Sequence, residues 1–142
     1  MFYLFKGSVF YTYIDLKYSS TNNISDFFIG LPNDIDTAFF IEVPAVYLYF
    51  TKGLDLYKLK LDVKNDSQLT TTSYGYVEKD YPKPISSLFP RINVRLDTVY
   101  RAYCAHEVYF FTGSSYYVLK EDKPIVEGPL NIRGDLIPGF CM

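Results

Sequence analysis

The sequence contains no tryptophan, one histidine and two cysteines, and each shortage removes a class of protein. A nucleophilic site that needs a histidine base has only His106 available. Cys104 and Cys141 are too few for a disulfide-stabilised scaffold, and without a secretion signal both are predicted to be reduced thiols. Cys104 and His106 also fall short of the three or four ligands of a tetrahedral metal site. No catalytic residues are therefore predicted.

Long apolar runs and an excess of one charge are also missing. No run approaches the roughly 20 apolar residues of a membrane helix. The first ten residues are interrupted by Lys6 and Gly7, unlike a signal peptide. The formal net charge of −2 comes from acids and bases mixed along the chain, which disfavours nucleic acid and membrane partners. A cytoplasmic location is predicted, and export by an unusual route stays open.

Aromatic residues, in contrast, are abundant: the 142 residues include 15 tyrosines and 12 phenylalanines. Aromatic and β-branched residues fit the pleated, half-buried surface of a sheet better than a helix. The sequence therefore predicts an all-β fold. The chain has the size of one domain, and its 49% hydrophobic content is ample for a core.

One β-hairpin pattern occurs three times. Each copy has two runs of aromatic and β-branched residues on either side of a glycine-containing turn. The copies lie at residues 2–14, 46–61 and 106–119, with turns at Gly7, Gly53 and Gly113. After the second copy, Lys64–Lys79 is polar and rich in serine and threonine, which predicts the longest loop of the molecule.

A short apolar run led by an aspartate precedes the second and third hairpins. Asp36 precedes Gly53 by 17 residues, and Asp97 precedes Gly113 by 16. The tail around Asp135 repeats the pattern more weakly. Repeats of about four short strands at this spacing are typical of propeller blades. The chain thus begins with a hairpin that lacks its acid-led strand and ends with an acid-led strand that lacks its hairpin.

Two connecting segments allow more than one interpretation. Lys17–Asn23 is polar and turn-rich, and Ile24–Phe28 fits either a short outer strand or a helical turn. Tyr81–Pro90 carries three prolines, which excludes a central strand and favours an edge or a helical turn.

Together these motifs resemble hemopexin repeats. The resemblance rests on Ile-Asp-Thr-Ala-Phe at 35–39, Tyr-Pro-Lys-Pro-Ile at 81–85, Leu-Asp-Thr-Val-Tyr at 96–100 and the hairpin at 108–117. Hemopexin-like domains of metalloproteinases and legume seed albumins have four blades, whereas this chain has material for three. The resemblance implies a small β-propeller in one domain over residues 1–142. Its repeats are predicted at about 2–34, 35–95 and 96–132, with a closing strand at 133–141.

The first and last strands are predicted to share a blade. If the closing strand pairs beside Phe2–Phe5, the two segments cover each other's edges. Three blades fall below the usual lower limit of about four in one ring. A homodimer that exchanges terminal strands is therefore a competing prediction.

The resemblance also suggests where a ligand would bind. Inner strands of hemopexin-like domains surround a central tunnel, so Asp36, Asp97 and Asp135 are candidates for holding an axial cation, calcium or sodium. The competing interpretation is that each aspartate orients its strand by accepting hydrogen bonds from backbone N–H groups. Haem is not expected, because His106 could supply only one iron ligand.

The function implied by the resemblance is that of a non-enzymatic binding module for a protein or a small ligand. Tyrosine-rich grooves can hold a flat apolar ligand by stacking. The alternative is a structural or storage protein of the seed-albumin type that self-assembles through aromatic surfaces and unpaired edges.

Overall fold

The computed structural model describes residues 1–42, 46–61, 74–102, 106–123 and 125–132. Strands are the main secondary structure of these residues, as the aromatic content predicts, and the two helices are single turns. The strands are β1 Phe2–Lys6, β2 Val9–Ile14, β3 Lys17–Asn23, β4 Phe28–Ile29, β5 Thr37–Ile41, β6 Tyr47–Lys52, β7 Asp55–Leu61, β8 Gly75–Val77, β9 Lys83–Pro84, β10 Thr98–Ala102, β11 Glu107–Thr112, β12 Ser115–Lys120 and β13 Ile125–Asn131. The helices are α1 Ile24–Phe27 and α2 Ile85–Leu88.

The strands form three sheets that follow one another along the chain. The first sheet has the order β1-β2-β3, and the third has the order β10-β11-β12-β13. The second has the order β5-β6-β7-β8, with β4 parallel to β8 and β9 beside β7. In the second and third sheets an acid-led strand precedes two hairpin strands and an outer strand. In the part of the chain that the structure describes, the first sheet has no acid-led strand beside β1.

The three predicted hairpins are confirmed, and they turn in the same way. Each has a two-residue loop that begins with glycine, and Gly7, Gly53 and Gly113 have φ of +59°, +58° and +56°. A glycine with positive φ at the first loop position matches the right-handed twist of the paired strands. Open space surrounds the position of a Cβ at all three, so backbone conformation is what requires glycine.

The second sheet is buried on both faces. Successive side chains of a strand point to opposite sides, so each of its central strands contributes to two different clusters. Phe50 and Leu59 face the first sheet and pack in one cluster with Phe10. Tyr49 faces the third sheet and packs in a larger cluster with Phe110. The second sheet therefore supplies part of the core to both of its neighbours.

Each hairpin turn also anchors the segment that leaves its sheet. The backbone N–H of an isoleucine donates to the carbonyl of the residue after the turn glycine. These bonds run from Ile24 to Ser8 at 2.9 Å, from Ile85 to Leu54 at 2.9 Å and from Ile132 to Ser114 at 3.0 Å. Asp36 follows Ile24 by twelve residues, and Asp97 follows Ile85 by twelve. The two connectors between sheets therefore have equal length and the same starting point.

The outer strands were the least predictable elements. Lys17–Asn23 was expected to be turn-rich but forms β3. Most of its side chains are exposed, and its polar composition therefore did not predict a strand. The loop predicted at Lys64–Lys79 contains β8, and residues 62–73 lie outside the described residues. No sequence pattern predicted β13, because Pro129 lies within it and proline is rare inside strands.

The two connecting segments form structures that were among the alternatives predicted for them, a strand or a helical turn. Ile24–Phe27 takes the helical alternative, and Tyr81–Pro90 contains both the edge strand β9 and the helical turn α2. The closing strand at 133–141 lies outside the described residues. Its pairing with β1, the three-blade ring, the exchanged dimer and the repeat boundaries therefore stay predictions.

Candidate functional site

Two of the three aspartates predicted at the axis hold the starts of their strands. Asp36 Oδ2 accepts a hydrogen bond from the backbone N–H of Gly53 at 2.7 Å, and Asp97 Oδ2 accepts one from Gly113 at 2.7 Å. Their own backbone N–H groups donate to the carbonyls of Thr51 and Phe111, each at 2.8 Å. Each aspartate thus joins its acid-led strand to the turn of the hairpin that follows.

Asp36 has a second partner from the next connector. Its Oδ1 accepts a hydrogen bond from Arg95 Nη2 at 2.7 Å, in an ion pair whose carboxylate side chain is only 11% exposed. The hydrogen bond and the charge of Asp36 raise the pKa of Arg95 above its usual value. The backbone carbonyl of Arg95 also accepts from the Thr112 hydroxyl at 2.9 Å. Arg95 therefore links the second sheet to the third hairpin.

The axial cation site is not assembled by the described residues. Within residues 1–42, 46–61, 74–102, 106–123 and 125–132, no group of three or more histidine, cysteine, aspartate or glutamate side chains lies within reach of one ion. Asp135 lies outside these residues. By sequence it follows Ile132 by three positions, whereas Asp36 and Asp97 follow the corresponding isoleucines by twelve. Axial calcium or sodium stays a prediction.

His106 lies in the tight turn that leads into β11. Its side chain is exposed and its φ is +50°, a left-handed conformation that is uncommon outside glycine. Its carbonyl accepts a hydrogen bond from the backbone N–H of Glu121 at 2.9 Å. The residue thus has a backbone role in closing the β11–β12 hairpin at its open end.

Sequence reasoning missed a buried ion-pair network between the second and third sheets. Arg101 Nε donates to Glu121 Oε1 and Arg101 Nη2 donates to Glu42 Oε2, both at 2.9 Å. Glu121 Oε2 also accepts from the backbone N–H of Glu42 at 2.9 Å. The side chains of Arg101 and Glu121 are 4% and 0% exposed. No sequence spacing predicts this network, because it joins the ends of β5 and β10 to the turn after β12, and these segments are distant in sequence.

An apolar cleft of about 320 Å³ lies beside this network. The end of β5, strand β6 and β7 form one wall, the connector with α2 forms another, and β12 and β13 form the third. The lining consists of aromatic and aliphatic side chains with two charged ones: Ile41, Tyr47, Tyr49, Lys58, Tyr81, Leu88, Phe89, Pro90, Leu119, Glu121 and Val126. A small cleft of mostly apolar lining with a few polar groups is the usual form of a ligand site.

Both charged groups in the cleft are already bound by the protein. Lys58 Nζ lies 3.9 Å from the centre of the Tyr47 ring and 3.3 Å from the carboxylate of Glu78. Glu121 is held by Arg101. Burial raises the pKa of Tyr49, and the neighbouring tyrosines and Glu78 add to the effect, so its hydroxyl stays protonated at neutral pH. The cleft therefore offers an apolar, electrically balanced surface.

The fold, three successive sheets each built on the same glycine-turned hairpin, is similar to the hemopexin fold of solved structures. The solved structures with this fold include hemopexin fold protein CP4 from cow pea, with a TM-score of 0.66 and 21% identity over 92% of this chain and 62% of that one. The 2S albumin seed protein from Dolichos has a TM-score of 0.65 and 21% identity over 96% of this chain and 69% of that one. These likenesses confirm the predicted all-β, hemopexin-like fold, and the closure of its sheets into a three-bladed propeller stays a prediction.

Among individual proteins, the chain is similar to matrix metalloproteinase-21. It is 28% identical to the Mus musculus protein over 85% of this chain and 22% of that protein, and 29% identical to the Cynops pyrrhogaster protein over 94% and 22%. The chain therefore spans about a fifth of the length of these relatives. No family model matches the chain.

The location of the protein in the cell has less support than its fold. In the described part of the chain, no helix is long and apolar enough to span a membrane. The comparisons give no support to the predicted cytoplasmic location, which stays a prediction. Cys104 and Cys141 lie outside the described residues, so their predicted reduced state is likewise untested.

Proposed function

We propose that this chain is a non-enzymatic binding module whose ligand site is the cleft between the second and third sheets. The observation that supports this most directly is the cleft itself, in which Tyr47, Tyr49, Tyr81 and Phe89 surround a space of about 320 Å³. The hemopexin-like fold is consistent with such a role, since a fold of this kind supplies a rigid frame and the function lies in the site.

The ligand group that fits this cleft is neutral and apolar or aromatic. Lys58 and Glu121 both have protein partners, so a charged ligand would have to displace Glu78 or Arg101. The volume lies near the low end of ligand pockets, which are about 300–1,000 Å³. A cavity of about 150 Å³ holds one benzene-sized ring, so this cleft has room for one or two aromatic rings or for two apolar side chains. The ligand is therefore a small aromatic molecule or the apolar side chains of a partner protein.

The experiment uses indole and p-cresol as neutral aromatic probes and follows backbone amide resonances by NMR. Binding at the cleft is expected to shift the resonances of Tyr49, Leu119 and Val126. Leu88→Arg, at the 41% exposed rim, is expected to weaken binding at least tenfold by placing a charge in the mouth of the cleft. The matched control is Leu54→Arg, a 49% exposed leucine in a hairpin turn, which is expected to bind the probes normally.

Two results would count against the cleft. The first is shifts confined to residues outside its lining, and the second is equal weakening by Leu88→Arg and Leu54→Arg. An assigned spectrum of each variant shows directly whether its fold is retained, so a loss of binding is not confused with unfolding.

A structural or storage role through self-assembly is a second candidate, favoured by one specific observation. Exposed apolar side chains concentrate in the first sheet and its turns, namely Phe2, Leu4, Ile14, Leu16 and Tyr18. Light scattering after size-exclusion chromatography over a range of concentrations tests this role. A mass that rises with concentration, and falls to the monomer in Leu4→Lys but not in Ile125→Lys, is the expected result. A constant monomer mass would exclude it.

A further inference from the structure

The outer edge of β1 lies where the other two sheets carry their acid-led strands. The turn glycines align β1 with β6 and β11, because Gly7, Gly53 and Gly113 follow these strands directly. Strand β6 pairs with β5, and β11 pairs with β10. Strand β1 pairs with β2 alone among the strands that the structure describes.

The groups that hold an acid-led strand are also present at this edge. Phe5 occupies the position of Thr51 and Phe111, whose carbonyls accept from the backbone N–H of Asp36 and Asp97. The N–H of Gly7 corresponds to those of Gly53 and Gly113, which donate to the two carboxylates. Since Lys6 and Val9 close the two-residue turn, the carbonyl and N–H of Phe5 point away from β2. The edge therefore presents the same donor and acceptor as the occupied edges.

A cavity runs along this edge. It has a volume of about 310 Å³ and is bounded on one side by Tyr3, Leu4 and Phe5. The rest of its lining is Ile35 and Asp36 with the first residues of the two acid-led strands, Thr37 and Ala38 of β5 and Thr98 and Val99 of β10. The space thus lies at the meeting point of the inner strands, where a third inner strand would complete the set.

We propose that the edge of β1 binds an extended, acid-led segment of a partner polypeptide, which adds a fourth strand to the first sheet. Its chemistry is that of residues 36–39 and 97–100: an aspartate, then threonine, a small or β-branched residue and an aromatic one. The aspartate accepts from the N–H of Gly7, and the exposed Lys6 complements its charge. Main-chain hydrogen bonds supply the pairing, and the alternating side chains supply the register.

The spacing of the sequence favours a partner over the chain's own tail. In both complete sheets the aspartate follows the anchoring isoleucine by twelve residues, whereas Asp135 follows Ile132 by three. Pro138 would also stand at the position of the aromatic residue, where it removes a backbone donor. The acid-led strands β5 and β10 of a second copy are already paired within their own sheets.

The test is a register-specific cross-link between the full chain and a synthetic peptide with the sequence of residues 95–102. Val99 pairs with Phe110, whose counterpart in β1 is Leu4, so the chain carries Leu4→Cys and the peptide Val99→Cys. Cys104→Ser and Cys141→Ser remove the native thiols. A disulfide is expected to form at least tenfold faster than with the Thr98→Cys peptide, whose thiol points to the opposite face. A second peptide change, Asp97→Ala, is expected to weaken binding at least tenfold.

Three results would overturn the proposal. They are no cross-link in a chain that retains its native circular dichroism and melting temperature, equal rates for the two thiol positions, and an internal disulfide in a Leu4→Cys, Ile137→Cys chain that excludes the peptide. The last result would assign the edge to the chain's own tail. Leu88→Arg leaves this edge untouched, so peptide cross-linking and probe binding in the cleft can fail independently.

Discussion

Arg101 and Glu121 form an ion pair with both side chains almost completely buried, Nε to Oε1 at 2.9 Å. The pair joins β10 to the turn after β12, and the bond from Arg101 to Glu42 extends it to the end of β5. A buried pair of this kind gives little net stability over an apolar pair of the same shape. Removing one partner, however, leaves the other charge buried and uncompensated. The network therefore fixes how the second and third sheets meet.

Glu121→Ala is expected to lower the free energy of unfolding by about 3–5 kcal/mol, because it removes the buried carboxylate of Arg101 and leaves the guanidinium with only the partly exposed Glu42. Urea denaturation followed by circular dichroism measures the change. The matched control removes the exposed partner of a surface pair: Glu127→Ala breaks the 3.4 Å contact with Lys120. The control is expected to cost less than about 1 kcal/mol. Equal losses in the two variants would contradict the central role of the network.

Asp36→Ala is expected to cost about 1.5–3 kcal/mol, since it removes a charge-assisted hydrogen bond to the Gly53 N–H. Asp36→Asn keeps an oxygen acceptor and is expected to cost less. Thermal and urea unfolding provide the measurement. The competing role in axial cation binding makes the opposite prediction: calcium would raise the melting temperature of the native chain and would have no effect on Asp36→Ala. That calcium dependence would contradict a purely strand-anchoring role.

Phe10→Ala is expected to destabilise the chain by about 3–5 kcal/mol. The Phe10 ring is fully buried and contacts the rings of Tyr3, Phe5 and Phe28 at centroid distances of 5.7, 5.8 and 5.1 Å. Phe2→Ala is the control, because Phe2 is 44% exposed on the same hairpin. Its cost is expected to be below about 1 kcal/mol. Similar costs for the two phenylalanines would show that the first sheet does not pack on the second as described.

Alkaline pH is expected to destabilise the fold through Tyr49 and Tyr109. Burial raises the pKa of both above the usual 10.0, and at Tyr109 the hydrogen bond to Glu107 adds to the effect. A raised folded-state pKa gives stability that is complete below the unfolded pKa of about 10 and is lost as the pH rises beyond it. The free energy of unfolding should therefore be level below about pH 9 and should fall above pH 10.

Urea denaturation between pH 8 and 11 measures this dependence, and tyrosinate absorbance follows the ionisation itself. Tyr49→Phe and Tyr109→Phe should each flatten the alkaline fall, because each removes one linked proton. Tyr18→Phe, at a 60% exposed position, is the control. An unchanged slope in both test variants would contradict the assignment of the alkaline effect to these hydroxyls.

The inner half of each repeat could be predicted from sequence, and the outer half could not. The hairpin at residues 107–120 is recognisable in the sequence, because both strands are rich in buried aromatic residues and the Gly113 turn separates them. Strand β3 is polar because one side of the first sheet faces solvent. Strand β8 is short, and its need for a glycine is visible only in three dimensions: a Cβ at Gly75 would clash with the backbone carbonyl of Lys60 on β7.

Of the candidate sites, one could be predicted from the sequence and the others could not. The aspartate pattern was visible because it recurs at a fixed distance from a glycine, although the pattern does not distinguish a cation ligand from a strand anchor. The cleft and the Arg101 network join residues from strands and connectors that are distant in sequence, such as Tyr47, Leu88 and Val126. Only the packing of the second sheet on the third brings them together.

The bonds from Ile24, Ile85 and Ile132 to the hairpin turns make two lengths independent of each other. One is the length of the segment inserted within a repeat, and the other is the length of the connector to the next sheet. Whatever is inserted between a hairpin and its outer strand, the chain returns to the same turn before it leaves for the next sheet. The second repeat shows the result, since residues 62–73 lengthen it while the connector after Ile85 keeps its twelve residues. Such a chain can gain or lose surface loops over evolutionary time without changing the interval between its sheets.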